Sequence, residues 1–210
     1  MSEMTITRAL SELKLLEKKI NDKTGNALFI DVFQKKDNKA LHSNKSVEDF
    51  QKASKAALQE IQDLIDRRNR IKSAIVKSNA SVAISIGSKT YLVVEAIERK
   101  NSIRLEQNLL NNLVSQRIQI LNEVERNRVK VEQQVEALLQ TMMGKDNKKF
   151  DKETYASVAG PVEDANLFQV SDPNLLEDLI SKMRTSIDEF LNNVDFALSE
   201  SNAKTTINVD

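Results

Sequence analysis

The chain lacks cysteine and tryptophan entirely and has only four glycines and two prolines among its 210 residues. The missing cysteines exclude disulfides and thiolate metal sites, and they suit a reducing compartment. Aromatic residues make up 4%, which is little for the bulky core of a compact α/β enzyme. No apolar run approaches the roughly 20 residues of a membrane span. The first residues also lack the basic and apolar regions of a signal peptide, so we expect a cytoplasmic protein without a membrane partner.

Two heptad seams are the strongest pattern that the sequence does contain. Apolar side chains recur in alternating steps of three and four from Val47 to Ser78, where seven of ten positions are apolar. The same steps run from Ile103 to Met142, where nine of twelve positions are apolar. A 3.5-residue repeat keeps one narrow face of a helix towards a partner. The pattern therefore predicts two long helices that pack along their length.

A strand-turn-strand signal separates the two seams. Val82, Ile84 and Ile86 alternate with small residues, Gly87-Ser88 suits a two-residue turn, and 89–92 returns as a second strand. We predict that residues 47–143 form an antiparallel coiled-coil arm, with helices over 47–78 and 93–143 and a β-hairpin at about 80–92.

The flanking regions complete a mainly α fold class. Residues 1–46 predict an N-terminal helix over 5–22, capped by Thr5 and ended between Asn21 and Gly25, then a short strand over 28–33 and a loop over 34–45. Residues 144–210 predict an irregular linker to Ser171, an acidic C-terminal helix that begins at Asp172-Pro173, and a short terminal strand over 205–209. This last strand could pair with 28–33, which would leave neither of them with a bare edge.

The residues that carry chemistry form no recognisable catalytic group. His42 is the only histidine, and there is no cysteine to share a metal with it. Gly87 precedes a predicted strand rather than a helix, so it does not form a phosphate-binding loop. Glu95 and Glu98 lie among lysines and arginines, as on a solvated helix face. We therefore expect no enzymatic activity, no metal and no cofactor.

Self-association is the interaction that the seams favour. The apolar positions over 126–142 extend beyond what a helix over 47–78 can cover, and the hairpin has open edges. We expect a homo-oligomer, built from these apolar positions: Ile84, Ile86, Leu121, Val124, Val131, Val135 and Leu138.

The charge is uneven although its sum is zero. Residues 66–106 hold nine Lys/Arg and four Asp/Glu, a net of +5, whereas residues 162–210 hold three and ten, a net of −7. The two regions could satisfy each other, or the basic one could meet an acidic or host protein partner. The basic patch comprises Arg67, Arg68, Arg70, Lys72, Arg99, Lys100 and Arg104. Four acidic neighbours and scarce aromatic residues argue against nucleic acid as the partner.

Three segments resemble the septicolysin-like family of small helical proteins of bacteria and phages. They are the opening helix over 5–20, the run from Arg70 through Gly87 to Ile97, and the closing segment 198–207 with its Asn-x-x-Thr motif, where Ala203 replaces the usual Trp. The resemblance implies a helical hairpin with β elements that oligomerises, and it would suit a phage-encoded protein of the host cytoplasm. The layout also resembles a prefoldin subunit in shape alone.

Three functional hypotheses remain open at this point. The first is a non-enzymatic, self-assembling coiled-coil interaction protein. The alternative is a viral or cellular inhibitor that captures a host protein or a small ligand at an oligomer interface. The second alternative is a nucleic-acid-binding module that uses the basic patch near the hairpin.

Overall fold

The computed structural model describes residues 2–34, 36–143 and 152–209. Their elements, in chain order, are β1 (Ser2–Thr5), α1 (Ile6–Asn26), α2 (Val47–Asn79), β2 (Ala83–Ile86), β3 (Lys89–Leu92), α3 (Val93–Met143), α4 (Lys152–Asn166), α5 (Leu176–Lys204) and β4 (Thr206–Val209). The mainly α class with short antiparallel strand pairs is confirmed. The chain divides into two units, of which unit 1 is Met1–Asn101 with Glu189–Asp210 and unit 2 is Ser102–Asp188.

The helix α2 packs antiparallel against α1 in unit 1. Ser46 begins α2 as its N-cap, with its hydroxyl accepting from the Asp49 N–H at 3.1 Å. All ten seam positions of α2 are buried or half-buried, as the heptad pattern predicts. Ile71 and Ile75 share a core with Leu13 and Leu16 of α1. The helical hairpin therefore has α1 as the partner of α2, whereas the sequence analysis expected the long helix α3 in that place.

The two ends of the chain meet in one antiparallel ribbon. β1 pairs with β4 in the register Met4 to Ile207 and Thr5 to Thr206, and the Ile6 N–H continues the pairing to the Thr205 carbonyl at 2.9 Å. Met4 and Ile207 are buried in the same core as Ile71. The expected strand over 205–209 is present, but its partner is β1, so the pairing with 28–33 is wrong.

The predicted hairpin is present as β2 and β3. Ile86 pairs with Lys89 across the turn, and Gly87 adopts a φ of 57° that L side chains rarely tolerate. The Glu95 carboxylate accepts a hydrogen bond from the Leu92 N–H at 2.8 Å, where the chain passes from β3 into α3. Glu95 thus satisfies one of the free donors at a helix start instead of lying only on a solvated face.

In unit 2, α3 packs against a helix that the sequence analysis did not predict. Val135 and Leu139 of α3 form a small core with Ala159 of α4. Residues 152–166 were expected to be part of an irregular linker, yet they form α4, which continues through Pro161. The packing of the neighbouring apolar residues outweighs the lost N–H donor. Residues 144–151 of the expected linker lie outside the described residues.

Two further boundaries differ from the prediction. α1 continues to Asn26 because Gly25 stays helical. α5 begins at Leu176, three residues after Pro173, because 172–175 forms a turn whose Asp172 carboxylate accepts from the Leu176 N–H at 2.8 Å. One apolar face of α5 is buried, through Ile187, Phe190 and Val194.

Candidate interaction site

The loop of residues 27–46 connects α1 to α2 and carries several exposed apolar side chains, some of which line an open cavity. The sequence predicted a strand over 28–33, but these residues form no regular strand, and only single bridges join Phe33 to Ala40 and Lys39 to Ser46. The strand β4 pairs with β1 instead, and residues 28–33 have no partner strand among the described residues. The apolar residues of this run therefore stay in an irregular loop.

Asp31 holds the two arms of the loop together. Its carboxylate accepts from the backbone N–H groups of Val32 at 2.8 Å, His42 at 3.1 Å and Ser43 at 2.9 Å. Partial desolvation raises the pKa of Asp31, but the hydrogen bonds from Ser43, His42 and Val32 together outweigh it and lower the pKa from 3.8 to about 2. The charged carboxylate is therefore the form that orders the loop.

Two more contacts attach the loop to α2. The Ser54 hydroxyl donates to the Phe29 carbonyl at 3.1 Å, and the Val47 N–H donates to the Asn38 carbonyl at 3.2 Å. Asn38 and Asn44 adopt positive φ values of 49° and 55°, which asparagine tolerates better than most residues. The loop backbone is thus fixed by specific bonds, although many of the loop's apolar side chains face solvent.

An open cavity of about 910 Å³ lies within this loop. Val32, Phe33 and Leu41 supply its apolar lining, while Lys36, Lys39 and Asp37 supply charge. The exposed fractions of these apolar lining residues are 71% for Leu41, 58% for Val32 and 51% for Phe33, and Ile30, which does not line the cavity, is 82% exposed. Apolar side chains this exposed and this close together typically mark a contact surface for another molecule.

A second arrangement fixes the hairpin within unit 1. The Phe190 ring is 2% exposed, meets the Tyr91 ring edge-on at 5.7 Å, and has the Arg99 guanidinium 4.5 Å from its centroid. Arg99 also donates to the Tyr91 hydroxyl. This stack joins β3, α3 and α5, so its role is structural.

The predicted basic patch is largely occupied by partners inside the chain. Arg67 bonds Glu12 at 2.7 Å, and Arg68 bonds Glu17 at 3.2 Å. Lys100 pairs with Asp195, which is one contact between the basic and the acidic regions. Arg70 lines a shallow groove beside β4, Lys72 is exposed on α2, and Arg104 belongs to unit 2. The seven cations do not act as one free surface.

The residues expected to drive oligomerisation are placed unevenly. Ile84, Ile86, Val131 and Val135 are buried within the chain, and Val124 is half-buried. Leu121 and Leu138 are exposed, at 43% and 45%. Beyond Val124 the buried positions of α3 follow steps of four, through Val131 and Val135 to Leu139, so a strict 3.5-residue repeat assigns Leu138 to the wrong face.

No cluster in the described part of the chain resembles a metal or membrane site. Within residues 2–34, 36–143 and 152–209, no three His, Asp or Glu side chains lie close enough to hold a metal ion. Among the helices of these residues, none combines the length and the apolar character needed to cross a membrane.

Comparisons with protein-family models, curated proteins and solved structures give no match for this chain. The resemblance to septicolysin-like proteins therefore stays a prediction. The 27–46 loop was not recognised from sequence as a site. Its available signal was an apolar run, 28–33, beside a lysine-rich loop with no second strand nearby.

Proposed function

We propose that this protein is a non-enzymatic interaction protein that assembles with itself, and that the 27–46 loop is its contact surface. The exposed apolar side chains of the loop, several of which line its cavity, carry the proposal. The residues that were expected to drive oligomerisation support it less, because four of the seven, Ile84, Ile86, Val131 and Val135, are buried within one chain.

The ordered backbone of the loop favours specific binding over non-specific hydrophobic association. Asp31 and Ser54 hold the loop without help from the exposed Ile30 and Leu41. A contact surface that is already ordered loses less conformational entropy when it binds. The absence of cysteine in the sequence suits action in the cytoplasm, and we infer that location for it.

Light scattering after size-exclusion chromatography tests the proposal. Wild type should have the mass of an oligomer at micromolar concentration. Ile30→Ser with Leu41→Ser should lower that mass while the helical circular dichroism stays unchanged, because neither side chain belongs to a core. Leu15→Ser is the matched control, since Leu15 is 52% exposed on α1 and lies outside the loop.

A monomeric wild type would contradict self-assembly. The same loop would then favour the inhibitor hypothesis, in which the cavity receives another protein or a small ligand. The nucleic-acid hypothesis receives less support, because Arg67, Arg68 and Lys100 already have carboxylate partners.

A further inference from the structure

We propose that the 27–46 loop of one copy binds the segment 167–175 of a second copy. This inference rests on the proposed self-assembly and names the surface that fills the loop cavity. Two features carry it: both surfaces are exposed and apolar within their own chain, and their charges are opposite.

The loop is the basic member of the pair. Residues 27–46 contain four lysines and two aspartates, a net of +2. Lys36 and Lys39 line the cavity beside Val32, Phe33 and Leu41. The Asp31 carboxylate is already bonded to three backbone N–H groups. Asp37 also lines the cavity, so the surface offered to a partner is apolar with two lysines and one aspartate at its border.

The segment 167–175, between α4 and α5, is the acidic member. Its exposed fractions are 59% for Phe168, 50% for Val170 and 67% for Leu175. Residues 163–178, which include it, contain five Asp/Glu and no Lys/Arg. Asp172 caps the following turn and Glu177 pairs with Arg117, so Glu163, Asp164 and Asp178 are the flanking carboxylates that complement the lysines of the loop.

The segment is also held in one conformation by its own chain. Asn127 donates from its amide to the Asn166 carbonyl at 3.0 Å and accepts from the Phe168 N–H at 2.8 Å. Asp172 caps the turn that follows. These bonds leave the exposed side chains of 168–175 free for a partner, and they limit the entropy lost on binding.

A contact between two different surfaces has a consequence for symmetry. Two copies can exchange the contact reciprocally, so that each loop binds the other copy's segment in a two-fold dimer. Copies joined head to tail would instead form a ring or an open fibre. Light scattering distinguishes the closed dimer from the larger assemblies.

Charge exchange tests the pairing. Lys36→Glu with Lys39→Glu should raise the dissociation constant about 10- to 100-fold, because like charges then face each other. Asp164→Lys with Asp178→Lys should do the same from the other side. All four changes in one chain should restore association, because the charges are opposite again. Lys14→Glu with Lys18→Glu, on the exposed face of α1, is the matched control and should not alter the dissociation constant.

The outcomes separate this inference from the proposed function. Loss of association in each double variant and recovery in the quadruple variant would support the pairing. An oligomeric wild type whose double variants keep their affinity, or whose quadruple variant fails to recover while circular dichroism shows it folded, would overturn the pairing and leave self-assembly intact. A monomeric wild type would overturn both.

Discussion

The Glu189 carboxylate accepts hydrogen bonds from the backbone N–H of Ser88 at 3.0 Å and from its hydroxyl at 3.3 Å, although the two residues lie 101 positions apart. The carboxylate sits where a side chain on Gly87 would have to be, since a Cβ built there collides with Glu189. The turn between β2 and β3 is therefore closed by a residue of α5. The relationship makes Gly87 and Glu189 energetically dependent on each other.

Gly87→Ala should lower the free energy of unfolding by about 2 kcal/mol, because alanine is strained at a φ of 57° and also displaces Glu189. Gly25→Ala is the control, as a Cβ there meets open space within α1, and it should stabilise by about 0.5 kcal/mol. Urea denaturation measures both. Gly87→Ala combined with Glu189→Ala should cost less than the sum of the single changes. Strict additivity would mean that the two residues do not interact.

Phe190→Leu should destabilise the protein by about 1–3 kcal/mol. The change removes the edge-on contact with Tyr91 and the cation–π contact with Arg99, and it leaves unfilled volume. Phe196→Leu is the control, because it makes the same substitution on the same helix at a side chain that is 74% exposed. We expect it to change the free energy of unfolding by no more than about 0.5 kcal/mol. Equal effects in thermal unfolding would contradict the structural role of Phe190.

The 27–46 loop should lose its order in acid. The pKa of Asp31 is lowered from 3.8 to about 2, so the charged carboxylate stabilises the loop fully above the ordinary value and progressively less as the pH falls through about 2. The backbone N–H chemical shifts of His42 and Ser43 should follow this titration in an NMR experiment.

Asp31→Asn should abolish that titration, because an amide does not ionise, and should loosen the loop at neutral pH, because only its oxygen accepts. Asp37→Asn is the control in the same loop. In the Asp37→Asn variant, the backbone N–H chemical shifts of His42 and Ser43 should match those of wild type. If the shifts in wild type do not move between pH 4 and 2, Asp31 does not hold the loop.

The ion pair between Arg67 of α2 and Glu12 of α1 should have a coupling free energy of about 0.2–1 kcal/mol in a double-mutant cycle, which is the range for exposed ion pairs. The coupling should shrink in 1 M salt, where the screening length is about 3 Å. Lys52–Glu48, an exposed i,i+4 pair within α2 alone, provides the control cycle and should not change the contact between helices. A coupling that survives high salt would point to packing by the arginine stem instead.

Local patterns predicted four of the five described helices, α4 being the exception, and for identifiable reasons. The helix predicted over 47–78 is Val47–Asn79 in the structure, because Ser46 caps its start and a periodic apolar face continues to its end. The long helix over 93–143 has the predicted bounds, as no glycine or proline interrupts it. The turn at Gly87 was predictable because two alternating segments flank it.

Partners were less predictable than elements. A heptad pattern predicts which face of α2 is buried, but it does not predict whether α1 or α3 packs against that face. The prediction of a strand over 28–33 was wrong for the same reason, because strand propensity does not indicate which neighbouring strand is available for pairing. The contact of Glu189 with Ser88, and the loop cavity with it, depend on residues brought together only by the folded chain.

The ribbon of β1 and β4 also sets an order of events during synthesis. Met4 emerges from the ribosome about 200 residues before Ile207, its partner across the ribbon. At about 5–20 residues per second, that gap is about 10–40 seconds. Throughout it, the core around Ile71 and Ile75 lacks the side chains of β4. The nascent chain therefore carries an incomplete core for most of its translation, and unit 1 can close only after all of unit 2 has been made.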